Sequence, residues 1–391
     1  MKLYTIVFLF LLSIIFIVDY MQFKNKSNRT KIQKLLFYLP TIFYVFYFTA
    51  VKIVGPQLTD YRVNFYLMWI NLSFFMVYIP RAVILLFEYL KTKAKAHSDA
   101  LQRVRNLVLG AFVIVMLVSA FYTTRRLEVE KATIEFQHLP AGFESYKIVQ
   151  LSDIHLGSRL YDKEFYANLV QLVNAQNADI IVFTGDMVNN FAEEMIGFDV
   201  VFKQLKAKDG KFAVLGNHDS GDYSEWKNKD DKAKNLQGIK DGLALFGFEL
   251  LDNKHVIITK NGDRLALVGV GHFHKNKARD LADLARATAG LEADMFKILL
   301  SHNPDHWERG VEADSTIRLT LSGHTHAGQL GVDLFGKIYS PVGLIYNHYN
   351  GLYVRNNQQL YVSHGLGYIG LPIMLGVRPE INVITLKSSN L

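Results

Sequence analysis

Five short polar clusters carry the residue types that hold metal ions. They are Asp153-Ile154-His155, Gly185-Asp186, Gly216-Asn217-His218-Asp219, Ser301-His302 and Gly323-His324-Thr325-His326. Between them they offer carboxylate, amide and imidazole donors. Mixed nitrogen and oxygen donors suit Mn, Fe or Zn ions better than Ca or Mg. The chain contains no Cys, which excludes thiolate metal sites, disulfides and cysteine nucleophiles. On an extended segment, Asp-x-His or His-x-His spacing places both side chains on one face, because strand periodicity is 2. Glycines beside the ligands (Gly185, Gly216, Gly323) permit tight turns and close approach of a phosphate.

Each cluster alone is ordinary: Asp-x-His arises by chance, and Asn-His-Asp is a common turn composition. Their placement carries the signal. Each follows a short apolar run that reads as a buried strand: Lys147–Leu151, Ile180–Phe183, Phe212–Leu215, Lys297–Leu300 and Leu319–Leu321. Ligand sites of open α/β sheets form outside the carboxyl ends of strands, so five such ends can converge on one edge. Helical spacing is expected over Lys163–Asn174, Gly238–Leu245 and Asp280–Leu291, and a hairpin over Val256–Val270 turning at Asn261-Gly262. A second hairpin joins Leu352–Arg355 to Gln359–Ser363, and Ile381–Leu386 is a last strand. Strands alternating with helices, then strands dominating, fit two packed sheets with helices outside.

The set DIH, GD, GNHD, SHNPD and SGHTHAGQ resembles the calcineurin-like metallophosphoesterase superfamily, over roughly Tyr146 to the C-terminus. Its GHTHAGQ ending is similar to a branch of small bacterial membrane-associated or exported phosphoesterases. The resemblance implies an α/β fold, a four-layer α-β-β-α sandwich. It also implies two divalent metal ions (Mn, Fe or Zn, with Mn favoured). Asp153, His155 and His326 would hold one ion, Asn217, His302 and His324 the other, and Asp186 would bridge them. His218 would stand near the leaving group as acid or transition-state donor, with Asp219 orienting it. Two such ions roughly 3.5–4 Å apart clamp phosphate oxygens and acidify a bridging water, whose hydroxide attacks phosphorus in line. A His beside a carboxylate can stabilise the leaving oxygen.

The family pattern is not followed everywhere. Gly271-His272-Phe273-His274 stands where the family carries a loop with an acidic residue, and reads as a surface turn or a substrate loop. His364 reads as a hairpin end or a pocket-rim contact, and His306 as a helix start. His97, His138, His255 and His348 carry no signal. Met374 occupies a position where a basic residue is common, with Arg378 nearby. Phe191, Met195, Phe198 and Phe202 have helical spacing and read as core in preference to lipid contact.

The first 125 residues differ in kind. Four apolar stretches, about 3–23, 35–54, 63–87 and 106–124, are each long enough to cross a hydrocarbon core roughly 30 Å thick. An all-α transmembrane region over 1–125 and a phosphoesterase domain over 126–391 are therefore expected. Residues 1–131 hold 17 Lys+Arg against 6 Asp+Glu, a balance of +11, while the remainder balances at −4. The net charge of +7 thus belongs to the membrane half and is no nucleic-acid footprint. The first loop carries Lys24, Lys26, Arg29, Lys31 and Lys34, and the third Lys91, Lys93, Lys95, Arg103 and Arg105. Basic short loops stay cytoplasmic, which places the catalytic domain outside a bacterial inner or plasma membrane. The first stretch is read as a retained helix, not a cleaved signal, and Arg81 as a side chain that snorkels to the inner face. Expected substrates are phosphorylated small molecules or lipids at the membrane: phosphodiesters, phosphomonoesters or pyrophosphates, such as lipid head groups or nucleotide-linked lipid precursors. A nuclease or protein phosphatase of the same superfamily ranks lower, since no basic groove is evident. A catalytically dead receptor would show degenerate ligands, and none of the seven is lost.

Overall fold

The computed structural model describes residues 3–24, 30–54, 60–93, 99–160, 162–311 and 316–389. Of the positions weighed above, Lys26, Arg29, Lys95 and His97 lie outside the described residues. The elements in chain order are α1 Leu3–Lys24, α2 Lys31–Val54, α3 Tyr61–Lys93, α4 Asp99–Phe121, β1 Glu128–Phe136, β2 Lys147–Leu151, α5 Lys163–Asn174 and β3 Ile180–Phe183. There follow α6 Asp199–Phe202, β4 Gly210–Ala213, α7 Lys229–Leu245, β5 Glu249–Leu250, β6 Lys254–Lys260, β7 Asp263–Gly269, α8 Leu284–Thr288 and β8 Lys297–Leu300. The last are β9 Ile317–Ser322, β10 Val332–Leu334, β11 Lys337–Tyr339, β12 Gly351–Arg355, β13 Gln358–Val362 and β14 Glu380–Ser388. The chain divides into one compact unit of residues 1–120 with 370–372, and a second of 121–369 with 373–391.

The first unit is helical. Among the described residues, Lys31–Val54, Phe65–Lys93 and Asp99–Arg125 are long and apolar enough to cross a membrane, and α1 adds a shorter apolar stretch, Leu9–Met21. Its interior is aromatic: Tyr44, Tyr47, Phe48, Phe74 and Tyr78 pack together with Ile15. Arg81, expected to snorkel, instead turns inward. Its Nη1 lies 2.7 Å from Asp19 Oδ1 and its Nη2 donates to the Phe37 carbonyl at 3.1 Å. Thr41 donates to the other Asp19 oxygen. A buried carboxylate on α1 supplies a counter-charge, which stabilises the guanidinium more than a distant headgroup would.

The described strands of the second unit form two six-stranded sheets, β1-β14-β2-β3-β4-β5 and β12-β13-β9-β8-β7-β6, plus the separate β10–β11 hairpin. Strands β2, β3 and β4 are parallel, as are β7, β8, β9 and β13. Alternate residues of these strands face opposite ways. Ile148, Ile180, Val182 and Phe212 meet Leu265, Leu267, Ile298 and Leu319 between the sheets. Val149, Ile181 and Phe183 face outward onto Phe165, Leu169, Ile239 and Leu243 of α5 and α7. On the other side, Val268 and Leu299 are covered by Ala287, Trp307 and Val311. The result is the α-β-β-α sandwich expected from the sequence.

Local signals explain most elements. The Asp162 carboxylate caps α5 by accepting from Phe165 N, and the Asn228 side chain caps α7 from Asp231 N at 2.8 Å. Asn261 and Gly262 both take positive φ (54° and 89°), the primed turn that matches strand twist. Phe191, Met195, Phe198 and Phe202 are all buried, as core, but they sit on a 3-10 turn and on α6, separated at Gly197 (φ 82°). The helix expected over Asp280–Leu291 shortens to α8, because the Asp283 side chain caps it late by accepting from Arg286 N at 2.9 Å. β1 escapes sequence reading: it is an edge strand in which only Ile134 and Phe136 are buried, so no apolar run marks it.

Candidate metal centre

The parallel strands β2, β3 and β4 of one sheet and β8 and β9 of the other stop at the same end of the sandwich. All seven expected ligand side chains meet there. Asp153, His155 and His326 form one group, Asp186, His302 and His324 another, and His155, Asp186 and His218 a third that overlaps both, with the candidate ligand atoms of each group within 4.8 Å of one another. His155 Nε2 lies 3.1 Å from His326 Nε2, and His326 Nε2 lies 3.4 Å from Asp153 Oδ1. His302 Nε2 lies 2.9 Å from Asn217 Oδ1 and 3.2 Å from His324 Nδ1. Asp186 stands between the groups, its Oδ2 3.2 Å from His302 Nε2 and 3.7 Å from His155 Nε2.

Contacts on their far sides fix how several of these groups are aimed. His302 Nδ1 donates to the Thr184 carbonyl at 2.8 Å, which aims Nε2 into the cluster as a lone pair. Asn217 Nδ2 donates to Tyr223 Oη at 2.9 Å, which turns its Oδ1 inward. Burial lowers the basicity of His155, His324 and His326, keeping those rings neutral. Burial acts on His302 too, but the Asp186 carboxylate outweighs it and lifts that ring to about 9. The Asp186 carboxylate thus favours a cation at His302 Nε2, and a metal ion that displaced the proton there would be met by the Nε2 lone pair. Asp186 is held well below the usual carboxylate range, burial being overcome by His302 and His218. Converging lone pairs around two buried carboxylates fit divalent cations.

The clusters converge by a different route from the one the spacing implies. Asp153 and His155 are not extended; both take left-handed backbone, with φ of 52° and 48°. Asp186 (61°), His324 (76°) and His326 (51°) do the same. Side chains two apart meet because the chain coils at the strand end, and His324 and His326 consequently serve different groups. Non-glycine residues at positive φ are uncommon, and they persist only where surroundings hold them. Here backbone bonds do so: Asp153 N donates to the Gly185 carbonyl at 2.9 Å and His155 N to the Asp186 carbonyl at 3.2 Å. Gly216 and Gly323 serve close approach: a Cβ on Gly216 would strike Asp186 Oδ1, and one on Gly323 would strike Asp153 Oδ2.

His218 stands beside the cage, its ring edge-on to His155 with centroids 4.8 Å apart. Its Nδ1 meets the carbonyl of Asn189 at 2.7 Å, the contact the sequence reading gave to Asp219. Asp219 faces the other way. Its carboxylate accepts from the backbone N–H of Asp186 (2.8 Å), Met187 (2.9 Å), Val188 (3.3 Å) and Gly216 (2.9 Å). It thus ties two ligand loops together, although burial and the Asp186 charge push it up to about 7.

The remaining candidates separate cleanly. His272 is no surface turn: it is buried, with its ring 5.7 Å from His302 and 5.9 Å from His324, and burial pushes it down to about 3. His274 is a loop brace, accepting from Asn276 N at 2.9 Å. His306 stacks on Phe273 and meets Ser301 Oγ at 2.9 Å. His364 lies between Asn350 Oδ1 and the Arg378 carbonyl, both at 2.7 Å, as a structural hairpin end. Met374 is buried against Ala327 and Val377, and Arg378 pairs with Glu128 at 3.3 Å, so neither meets the cage. Two tyrosines that the sequence reading missed do meet it. Tyr346 Oη lies 3.0 Å from His324 Nε2, and Tyr223 stacks on His218 at 4.3 Å. Neither sits in a motif or after a strand, so no local signal marks them.

Comparison with known proteins agrees with this geometry. The family model for calcineurin-like phosphoesterase matches residues 146–328. An uncharacterized metallophosphoesterase of Bacillus subtilis, YkuE, is 31% identical over 268 residues, which is 68% of this chain and 87% of that protein. An uncharacterized metallophosphoesterase of Helicobacter pylori strain 26695 is 25% identical over 97% of this chain and 98% of its own length. A transmembrane protein with metallophosphoesterase domain from Danio rerio is 29% identical over 76% of this chain and 65% of that protein. Likeness on that scale, together with a ligand set that folds into one cage at the strand ends, makes the chain a member of the calcineurin-like phosphoesterase family, a phosphoric ester hydrolase whose catalytic unit follows a set of apolar helices.

Proposed function

We propose that this chain is a membrane-anchored hydrolase that cleaves a phosphodiester or pyrophosphate bond with two divalent ions. The position of Asp186 between the two ligand groups supports this reading above all else. Asp153, His155 and His326 would hold one ion, Asn217, His302 and His324 the other, and Asp186 both. Bound there, the ions supply Lewis-acid charge to the phosphate oxygens and activate water for in-line attack at phosphorus. The mixed imidazole, amide and carboxylate set suits Mn, Fe or Zn, of which we take Mn as the first to test. With Nδ1–H of His218 given to the Asn189 carbonyl, Nε2 is the nitrogen left to exchange a proton with the leaving oxygen. Asp219 acts as a positioning residue, through the backbone it ties.

Residues 1–125 form the anchor and 126–391 the catalytic domain. The basic first and third loops favour a cytoplasmic face for those loops and an extracytoplasmic catalytic domain. A tether of this kind favours substrates at the membrane surface, lipid head groups or nucleotide-linked lipid precursors. The test is detergent-solubilised or reconstituted protein, loaded with Mn, Fe or Zn and assayed on a soluble aryl phosphodiester beside vesicle-borne phospholipids and pyrophosphate-linked lipids. Two equivalents of metal and faster turnover of a lipid-linked substrate are expected. Active protein without bound transition metal would end the two-ion reading, and cleavage of soluble diesters alone would end the lipid one. Protease access to the C-terminal unit in intact cells decides orientation.

A further inference from the structure

The β10–β11 hairpin pairs with neither large sheet. Its register is Val332 opposite Tyr339, Asp333 opposite Ile338 and Leu334 opposite Lys337. Ile338 faces inward onto the small cluster of Ala327, Met374 and Val377. The opposite face carries Val332, Leu334 and Tyr339, all exposed. A ribbon facing water alternates apolar-in with polar-out; on the outer face of this one Lys337, opposite Leu334, is the one charged side chain. Its tip departs further. Two other hairpins of the same unit turn on Asn261-Gly262 and Asn356-Asn357, residues that tolerate left-handed backbone. This one turns on Phe335-Gly336, with Phe335 fully exposed at φ 56°. A bulky ring in that conformation costs energy, and no packing within the described residues repays it. Two more exposed apolar side chains, Leu344 (92% exposed) and Ile345 (70%), follow the hairpin closely in the chain. The next residue is Tyr346, whose hydroxyl reaches the metal ligand His324 at 3.0 Å.

We propose that this hairpin and the 341–345 turn form a lipid-docking lobe that rests in the bilayer surface beside the metal site. The occupant follows from the chain itself: six residues, 122–127, join α4 to β1, so the catalytic unit is tethered to whatever surface α4 crosses. The composition suits an interface: an aromatic and aliphatic tip, a tyrosine, and Lys337 with a long stem that can reach phosphate level. Asp333 is the one acid on the hairpin; its Oδ1 accepts from Gly336 N at 2.9 Å and braces the turn. The inference rests on the reading of α2–α4 as membrane spans and is independent of which ester is cleaved.

The absence of Cys makes the test direct. Single variants Phe335→Cys, Asn261→Cys and Ile114→Cys of the full chain, each carrying an environment-sensitive fluorophore, are placed in nanodiscs containing spin-labelled phospholipid. Asn261 turns at the end of β7 remote from the strand carboxyl ends, and Ile114 is exposed within α4. The label at 335 is expected to shift to the blue and be quenched, the label at 114 to be quenched, and the label at 261 to do neither. Quenching at 114 with a water-like, unquenched signal at 335 overturns the lobe alone. No quenching at 114 overturns the membrane reading, and the lobe with it. A blue shift at 335 that grows with chains per disc without lipid quenching overturns it in favour of contact between copies.

Discussion

Two buried acids in the catalytic unit, Asp179 and Asp186, bracket the same strand, β3, and are treated in opposite ways. Asp179 precedes β3 and is fully satisfied by the chain. It accepts from Lys260 Nζ at 2.8 Å, Lys208 Nζ at 3.0 Å and the backbone N–H of Lys147 at 2.8 Å. Asp186 follows β3 and meets imidazole nitrogens that crowd one another, and among the described residues it forms no ion pair with a lysine or arginine. A carboxylate that serves structure is given protein cations. One placed to serve a metal, as we propose for Asp186, is given imidazole nitrogens, whose lone pairs a bound cation would reconcile.

That contrast is broken most sharply at Asp186. Asp186→Ala should lower turnover by roughly 10³-fold, about 4 kcal/mol of transition-state stabilisation, and reduce bound metal as read by elemental analysis. A chelator should lower the melting temperature of the wild type and leave that of the variant unchanged. His218→Asn should cost roughly 10²-fold in turnover with metal content intact, which separates proton transfer from metal binding. Equal loss of metal in both variants would erase the distinction.

Asp179→Asn should do the reverse, leaving turnover intact and destabilising the fold by about 1–2 kcal/mol, a discounted figure because the Lys208 head group is solvated. Calorimetry should then read a fall of ~2–8 °C. Burial raises the Asp179 carboxyl, but the hydrogen bonds from Lys260, Lys147 and Lys208 outweigh it and hold the group below the usual range. A depressed carboxylate adds stability above its unfolded value and loses it as pH falls through the folded one. The gap between wild type and variant should therefore be full near pH 7 and close at acid pH below the ordinary carboxylate range. Nearby Asp209, bonded to Tyr146 Oη at 2.8 Å, is untouched in both proteins and cancels in the difference. The smallest effect is expected from Tyr346→Phe. Loss of the hydroxyl beside His324 should reduce turnover about 2- to 10-fold through one hydrogen bond. No change would leave the Tyr346 hydroxyl without a part in turnover.

The ligand types, their order and their position after apolar runs were legible without coordinates, because burial of a strand and exposure of its end leave a local pattern. The strands β2, β3 and β8 were readable to the residue for the same reason. β1 was not, since an edge strand buries few side chains and leaves no such pattern. Nor was the role of Asp219, whose partners are backbone N–H groups that every residue carries. His272 read as a turn because its burial depends on loops from elsewhere in the chain. Tyr223 and Tyr346 were invisible for a related reason: nothing near them in sequence shows what they approach.

Sequence alone thus determined the chemistry available to this protein: seven candidate ligands, one histidine beside them, and apolar helices ahead of them. Tertiary structure decided how that chemistry is aimed. Five candidate ligand residues hold left-handed backbone that local preference disfavours, and bonds between loops of different strands brace four of them, Asp153, His155, Asp186 and His324. Spacing records which atoms are present; the cost of a strained loop, and what offsets it, exists only once distant segments have met.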